Sequence, residues 1–577
     1  KFVPFTDNGT IANSCIFNRA DTATMSRTLE TPTNAKKYTF SAWVKIGNLD
    51  SNIARILGFS GGAIGISSNQ FGITEYVSST NYQVISNRTL KDNSKWYHLM
   101  VVVDTTLSTA DDRVKIYIDG DRVTSLDTNT QPSQDFNTAT NGGSGTLYIG
   151  RRGLDTSNIF DGYLAEVNFV DGTALGPDTF GVTDTSTGRW IPKALTGITY
   201  GNSGWRLQFA SSSNLGDDTS GNTNDFSVSN LVAGDQTTDS PTQNFPVIDR
   251  FRSALTESEG NTVGTATGTG IHFAFSTMTF DPSDSTGYYM EFKLLQATYS
   301  VCGFRSDTSP LPLSTSTTYV SDGYLAMNYA DDLYQDGTNV YNGSDTYSNN
   351  DIIGFYIKER NLYYSINGVM QNSSNPIGTF SKPGRYRITV GHNANYSPLA
   401  SVQIICPQSK WTYTPSGDFA NYREINQDNA PETSKGISGL TWTKDRDATA
   451  SWMCIDSSRT YAAEGDVAAA LNLDNSNKEY GQIDFVDGIT KFLKGGFAVN
   501  TSNNSYSYMN KSGNSNVSYS WVANGGTTAT NETGSIVSSV QANTTAGFSI
   551  VTYTGTGSSG SVGHGLSAAP EWMVFKD

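Results

Sequence analysis

Cations are scarce in this 577-residue sequence: 38 Lys and Arg stand against 54 Asp and Glu, a formal net charge of −16, and no basic run interrupts the deficit. Phosphate backbones are held by clustered cations, so a nucleic-acid partner is not expected. Long apolar runs are missing as well. The longest wholly aliphatic stretch is residues 99–103, LMVVV, far short of the roughly 20 residues a membrane helix needs, so no membrane insertion is expected. Cysteine is sparse. Cys15, Cys302, Cys406 and Cys454 stand far apart without a C-x-x-C pair, which argues against a zinc ribbon and a disulfide framework and suits four thiols in a reducing cytoplasm. The N-terminal residues show no charged segment followed by an apolar run, so no secretion signal is expected among them.

The catalytic strings are missing too. No G-x-S-x-G, G-x-x-x-x-G-K or H-E-x-x-H occurs. His98, His272, His392 and His564 are isolated from one another in the sequence, and His98 falls on an apolar strand, where a satisfied structural role is expected. The acidic pairs Asp111-Asp112, Asp217-Asp218 and Asp331-Asp332 would point to opposite faces of a strand, so loop acidity is the simpler reading. The glycine-rich residues 560–565 precede neither Lys nor a helix start, which argues against phosphate binding. No catalytic residue and no cofactor is therefore assigned.

What the chain does have is glycine, with 56 residues, and aromatics, with 30 Tyr, 27 Phe and 9 Trp, against only 16% charged residues. That is the composition of short strands, many turns and β-sandwich cores. The length implies roughly three to five domains. The fold class expected is all-β: tandem antiparallel sandwiches followed by smaller β-modules.

Residues 160–172, FDGYLAEVNFVDG, organise the first part. Leu164, Val167, Phe169 and Val170 are interleaved with Glu166 and Asn168, and Asp-Gly pairs stand at both ends. In YTFSAWVKI, residues 38–46, Tyr38, Phe40, Ala42, Val44 and Ile46 share one side and Trp43 takes the other. WYHLMVVVD at 96–104 leads to RVKIYIDGDRV at 113–123, a hairpin turning on Asp119-Gly120.

These strings, with LYIG at 147–150, resemble the laminin-G or pentraxin-like concanavalin A jelly roll. Residues 160–180, GRWIPK at 188–193 and DDTSGNTNDF at 217–226 further resemble modules of tailed-bacteriophage virion appendages, especially marine and cyanophage ones. The resemblance covers residues 1–250, where a polar run at 234–242 marks a trailing linker. Relatives of this fold often bind calcium between loops. Calcium is thus implied as a possible ligand, with no spaced D-x-D-x-D loop to locate it.

A second unit is expected over 251–415, after a Gly/Thr-rich run at 260–270 read as a flexible linker. Its clearest stretch is DIIGFYIKERNLYYSINGV at 351–369, two alternating strands with turns at 359–361 and 367–368. With YYMEF at 288–292 it resembles the SPRY module, a non-catalytic sandwich that binds through loops. The basic Lys358-Glu359-Arg360 turn departs from the acidic family pattern, so no ligand site is carried over. A small β-module is expected over 416–542, with 462–473 the only stretch of helical composition. LTWTKD at 440–445 and WMVFKD at 572–577 read as the same strand in two copies. That makes 543–577 the start of a second, incomplete module and implies chain before Lys1 and beyond Asp577.

Concanavalin A-like hydrolases align carboxylates as E-x-D-x-x-E on one strand. That string is absent, and Glu166 is followed at plus two by Asn168. Tyrosine-rich stretches at 76–82, 319–347 and 506–519 suit sugar-facing rims or plain turn chemistry equally. The resemblance then implies a virion tail fibre or capsid fibre that attaches to carbohydrate or protein on a bacterial surface. By analogy it would be a homotrimer contacting other virion proteins and assembled in the host cytoplasm. The alternatives are a structural decoration or collar protein, a polysaccharide depolymerase and, more remotely, a secreted adhesin.

Overall fold

The computed structural model describes residues 9–575 apart from 48–52, 60, 78–79, 91, 143, 154–157, 185–188, 269, 308–313, 316–323, 329, 344–345, 383, 395–396, 427–438, 448, 450, 461–467, 474–488, 494–495, 500–513, 523–528 and 545. The described chain is strand and turn with six short 3-10 turns, as the turn-rich composition requires. Two compact units are distinct: residues 1–182 with 190–431, and 183–189 with 432–577.

The larger unit holds two sandwiches. In the first, one sheet runs Asp121–Arg122, Val114–Ile118, Trp96–Asp104, Lys37–Ile46, Gly162–Asp171, Ser14–Phe17, Gln236–Thr237, with Trp205–Leu207 also paired to Gly162–Asp171. The facing sheet runs Leu126–Thr130, Thr80–Thr89, Gln70–Val77, Gly62–Ser67, Ile53–Phe59, Thr146–Ile149, Thr24–Thr28, Ser227–Ser229. Neighbouring strands in both sheets run antiparallel. The Gly162–Asp171 strand closes the first sheet, pairing with Lys37–Ile46 on one side and Ser14–Phe17 on the other.

Period-two alternation places Tyr38, Phe40, Ala42, Val44 and Ile46 in the core between the sheets, while Trp43 points out into a separate cluster. In the Gly162–Asp171 strand the alternation breaks at a bulge. Register shifts between Ala165 and Asn168, and Glu166 takes φ 48°, so Leu164 and Val167, three apart, both reach the core. Val170 points the other way, against Phe180 and Tyr200.

The first sheet is covered on both sides. Trp43, Trp96, Tyr163 and Ala165 pack with Ile11 and Val247, and Met100, Val102 and Val170 pack with Phe180 and Tyr200. This explains why its three central strands are buried nearly throughout. Each large apolar side chain so covered contributes roughly 1.5–3 kcal/mol.

The second sandwich has one sheet in the order Ile248–Ser253, Gly270–Phe280, Tyr386–Ala394, Ser300–Ser306, Tyr324–Asn328, Asp332–Gln335, Thr338–Asn342. The other runs Leu255–Ser258, Val263–Ala266, Ser401–Ile405, Tyr288–Gln296, Ile352–Lys358, Asn361–Ile366, Val369–Met370. Two-residue turns at Glu359-Arg360 (φ 50° and 68°) and Asn367-Gly368 (φ 48° and 78°) set the hairpin register, as tight turns with both central φ positive do.

The 260–270 run, read from composition as a linker, is built into this sandwich instead. Val263–Ala266 is a strand between Leu255–Ser258 and Ser401–Ile405. Its small residues suit a strand whose neighbours lie close, a role that composition cannot separate from flexibility.

The smaller unit has a four-stranded sheet, Ala468–Asn472, Met453–Thr460, Gly439–Asp445, Asn516–Val522, a hairpin Ile489–Leu493 with Gly496–Val499, and a three-stranded sheet Ala529–Asn531, Ser538–Asn543, Phe548–Tyr553. The 462–473 stretch is not helical where described: Ala468–Asn472 pairs as a strand with Met453–Thr460. Cross-strand pairing of an alanine-rich segment overrides its propensity here. Trp572 to Phe575 do not form the strand expected of them; all four are more than half exposed.

Candidate functional site: the open sheet of the first sandwich

With the first sheet covered on both sides, the facing sheet carries the open face of the first sandwich. Its centre is four strands, Ile53–Phe59, Gly62–Ser67, Gln70–Val77 and Thr80–Thr89. The turn at Ser68-Asn69, with φ 51° and 62°, fixes Ser67 opposite Gln70 and therefore Gly65 opposite Gly72. Ile64, Ile66, Phe71 and Ile73 point inward, so the intervening residues point outward.

Those outward positions make a glycine floor with a polar rim. A Cβ on Gly65 would lie 2.3 Å from the Ala54 carbonyl oxygen, and one on Gly72 would lie 2.3 Å from that of Val84. Only glycine fits there, and the sheet surface sinks accordingly. Arg55, Ser67, Gln70, Thr74, Gln83 and Ile85 surround the shallow depression, about 40 Å³. Gln83 Nε2 donates to Thr74 Oγ1 at 3.1 Å, which fixes the amide and leaves its carbonyl oxygen turned away from that bond.

Two tyrosines share this face. Tyr148 stands opposite Gly58 with the Arg151 guanidinium 4.8 Å from its ring centre. Tyr76 is 44% exposed with Arg152 at 6.0 Å. A flat floor, amide and hydroxyl groups, a cation and half-exposed rings can hydrogen-bond and stack against a polyhydroxylated chain. No carboxylate is among the residues lining the depression, so it lacks the paired acids of glycoside hydrolysis.

The residues weighed from sequence lie elsewhere. Glu166 is held by Arg206, with Nε 2.5 Å from Oε1 and Nη2 3.1 Å from Oε2, on the covered sheet. His98 is fully buried beside Trp43 and Trp190. Trp190 Nε1 donates to its Nδ1 at 3.1 Å, which puts the imidazole proton on Nε2, facing Ser41 Oγ at 2.8 Å. Burial pushes this imidazole down to about 4, Asp119 opposing only in part, so His98 is neutral and structural.

His272 and His392, distant in sequence, are brought directly opposite each other on paired strands of the second sandwich. His564 Nδ1 accepts from the Leu566 amide.

The acidic pairs organise loops. Asp218 accepts the backbone N–H groups of Arg206, Ser220 and Asn224. Asp112 meets Lys115 and Arg122. Asp331 accepts from the hydroxyls of Tyr347 and Tyr364. These arrangements do not fit calcium, because the carboxylates already have cation, N–H or O–H partners, and no cluster of three or more His, Cys, Asp or Glu ligands occurs among the described residues.

Two of the tyrosines in the stretches read as rims are interior. Tyr82 is fully buried and donates to Glu75 Oε2 at 3.0 Å, and Tyr347 is likewise buried. Tyr519 is exposed, whereas 319 and 506–508 lie outside the described residues. All four cysteines are free thiols. The glycine floor escaped the sequence reading, although glycine at the outward positions of GAIGIS and QFGITEY carried the signal.

A larger depression, about 360 Å³, lies in the smaller unit between Asn531, Thr533, Gly534 and residues 561–566. Its polar groups are spent on its own turns: Thr533 bonds to Asn531 Oδ1, and Ser535 pairs with Ser561.

Comparisons with known proteins agree with this architecture. Residues 18–179 match the family model described as the concanavalin A-like lectin/glucanases superfamily (Laminin_G_3), and residues 416–577 match a domain of unknown function (DUF7483). No curated protein matches the sequence. Among solved structures, the SPRY domain of human HERC1 is 13% identical, covering 28% of this chain and 98% of that one, with a TM-score of 0.24. The mouse laminin alpha1 chain domains LG4-5 are 7% identical over 70% of this chain and 92% of that one, TM-score 0.23. A putative carbohydrate binding protein from Bacteroides ovatus is 17% identical over 38% and 60%, TM-score 0.24. The family match makes the first sandwich laminin-G/concanavalin A-like in fold.

Proposed function

We propose that this chain is a non-catalytic attachment protein of a tailed-bacteriophage virion, a tail-fibre or capsid-fibre type appendage, and that the open sheet of its first sandwich binds carbohydrate on the bacterial surface. The observation that carries the binding face is the glycine floor at Gly65 and Gly72 within a rim of Arg55, Thr74 and Gln83. Amides, hydroxyls and a guanidinium around a flat floor match the hydroxyl-rich edge of a glycan, and the lining supplies no acid and base to cleave it.

The virion assignment rests on the strings GRWIPK and DDTSGNTNDF. Both have structural work: Trp190 covers His98, and Asp218 with Asn224 folds the 217–226 loop. A homotrimer contacting other virion proteins belongs to the same reading, since three weak sites on one object gain affinity through effective concentration.

A second reading is a structural decoration or collar component. The buried contact between the two sandwiches favours it, because Trp43, Trp96, Tyr163 and Val247 join them into a block rather than leaving them free.

The test is binding of the purified chain to host cells before and after enzymatic removal of surface polysaccharide, with released reducing ends measured. Saturable binding lost on removal, with no new ends, supports attachment. Released ends would identify a depolymerase, and absent binding would favour the structural component.

A further inference from the structure

Lys45 is fully buried, a rare state for a lysine, and its ammonium nitrogen sits 2.7 Å from Asp239 Oδ2, 2.7 Å from Asn244 Oδ1 and 3.0 Å from the Phe245 carbonyl oxygen. The Tyr163 ring centre is 5.4 Å away, and Trp96 Nε1 donates to Asp239 Oδ1 at 3.0 Å. An amine, a side-chain amide and a carboxylic acid thus meet among aromatic rings, where the first sandwich joins the segment leading to Ile248 of the second.

The geometry points to an intramolecular amide bond between Lys45 and Asn244, formed by the chain itself with loss of ammonia. In a low-dielectric site a lysine and a carboxylate remove both charges by passing one proton, from Nζ to Oδ2. The carboxyl of Asp239 is suited to hold it, since burial outweighs the neighbouring ammonium and raises its proton affinity.

The neutral Nζ then adds to Asn244 Cγ, which lies one bond beyond an oxygen already at 2.7 Å. Asp239 donates its proton to the amide oxygen, and the tetrahedral centre collapses with cleavage of Cγ–Nδ2. The second Nζ proton passes through the carboxylate to the departing nitrogen, which leaves as ammonia, and the hydroxyl proton of the tetrahedral centre returns to Asp239 as the carbonyl re-forms. One C–N bond forms, one breaks, no redox partner is needed, and Asp239 ends as the neutral acid beside the new amide, having taken up the proton that the lysine ammonium began with. Asn244 Nδ2 is held toward the Ser94 carbonyl at 2.7 Å, so the leaving group already points away from the amine.

The product would staple two strands' worth of chain 199 residues apart. It would clamp the first sandwich to the start of the second, a device suited to a protein under pulling load.

Intact-mass spectrometry of the full chain under denaturing conditions decides it. We expect a mass about 17 Da below that of the sequence, one ammonia, and a branched proteolytic peptide joining Lys45 to Asn244. N244A should show its full sequence mass, keep the fold and lose the branched peptide. D239N should also show its full mass, and a D239N chain still lacking about 17 Da would remove Asp239 from the mechanism. A wild-type chain at its full sequence mass overturns the proposal and leaves an ion pair. A loss of about 18 Da with Lys45 joined to Asp239 would overturn the assignment to Asn244.

Discussion

Glu166 and Arg206 form a two-pronged ion pair across neighbouring strands, Oε1 to Nε at 2.5 Å and Oε2 to Nη2 at 3.1 Å, at the bulge that interrupts the strand closing the first sandwich. The carboxylate that would be first suspected of chemistry is thus committed to holding a strained turn of backbone. Because Glu166 adopts φ 48°, a side chain there is strained by about 1 kcal/mol relative to glycine.

Two substitutions separate the pair from the strain. E166A keeps the strain, loses the pair and leaves a half-buried guanidinium, so we expect a loss of about 2 kcal/mol in denaturant unfolding. E166G also loses the pair but relieves the backbone, and should be less damaging by up to about 1 kcal/mol. An E166G chain less stable than E166A would contradict this reading of the bulge.

His98 supplies a pH dependence with a definite sign. Its folded value of about 4 lies below the ordinary 6.5, so the unfolded chain binds the proton first. The stability it contributes is present above 6.5 and is lost as pH falls toward about 4, on the order of 3 kcal/mol in all. The check is the difference in unfolding midpoint between wild type and H98Q from pH 7 to pH 4. That gap should narrow on acidification, and a constant gap would mean the imidazole does not titrate in this window.

Gly260 joins the two sandwiches. Its carbonyl accepts from Tyr163 Oη at 2.8 Å, its φ is +61°, and an added Cβ would fall 2.4 Å from that same oxygen. We expect G260V to weaken the contact by about 2–3 kcal/mol and to expose residues 238–247, the connection between the strands Gln236–Thr237 and Ile248–Ser253, to limited proteolysis, with each sandwich surviving as a fragment. Y163F, which loses only the hydrogen bond, should cost about 1 kcal/mol.

How much of this could be read from the sequence follows from range. The hairpins at Asp119-Gly120, Glu359-Arg360 and Asn367-Gly368 were legible because turn chemistry and alternation are local. So was the division of residues 38–46 between Trp43 and its inward neighbours. The bulge at Glu166 was not, since Leu164 and Val167 look alternation-breaking until Arg206, 40 residues on, shows what holds the extra residue. The 260–270 run misled because small polar residues suit a linker and a close-packed strand alike.

The binding face was hidden for another reason: its floor is defined by missing side chains. Gly65 and Gly72 become a surface only when register sets them side by side. The side chains that drew notice, Tyr82, Asp331 and Tyr347, are satisfied inside the sandwiches, Tyr82 by Glu75 and Asp331 by Tyr347 and Tyr364.

The most direct measurement is titration of the purified chain with polysaccharide from its host, comparing wild type with T74W. Thr74 and Gly72 point outward from the same strand, so a tryptophan at 74 fills the depression without entering the core. We expect equal thermal stability and at least a tenfold loss of affinity, about 1.4 kcal/mol. Undiminished binding by a stably folded T74W chain would show that the open sheet is not the site.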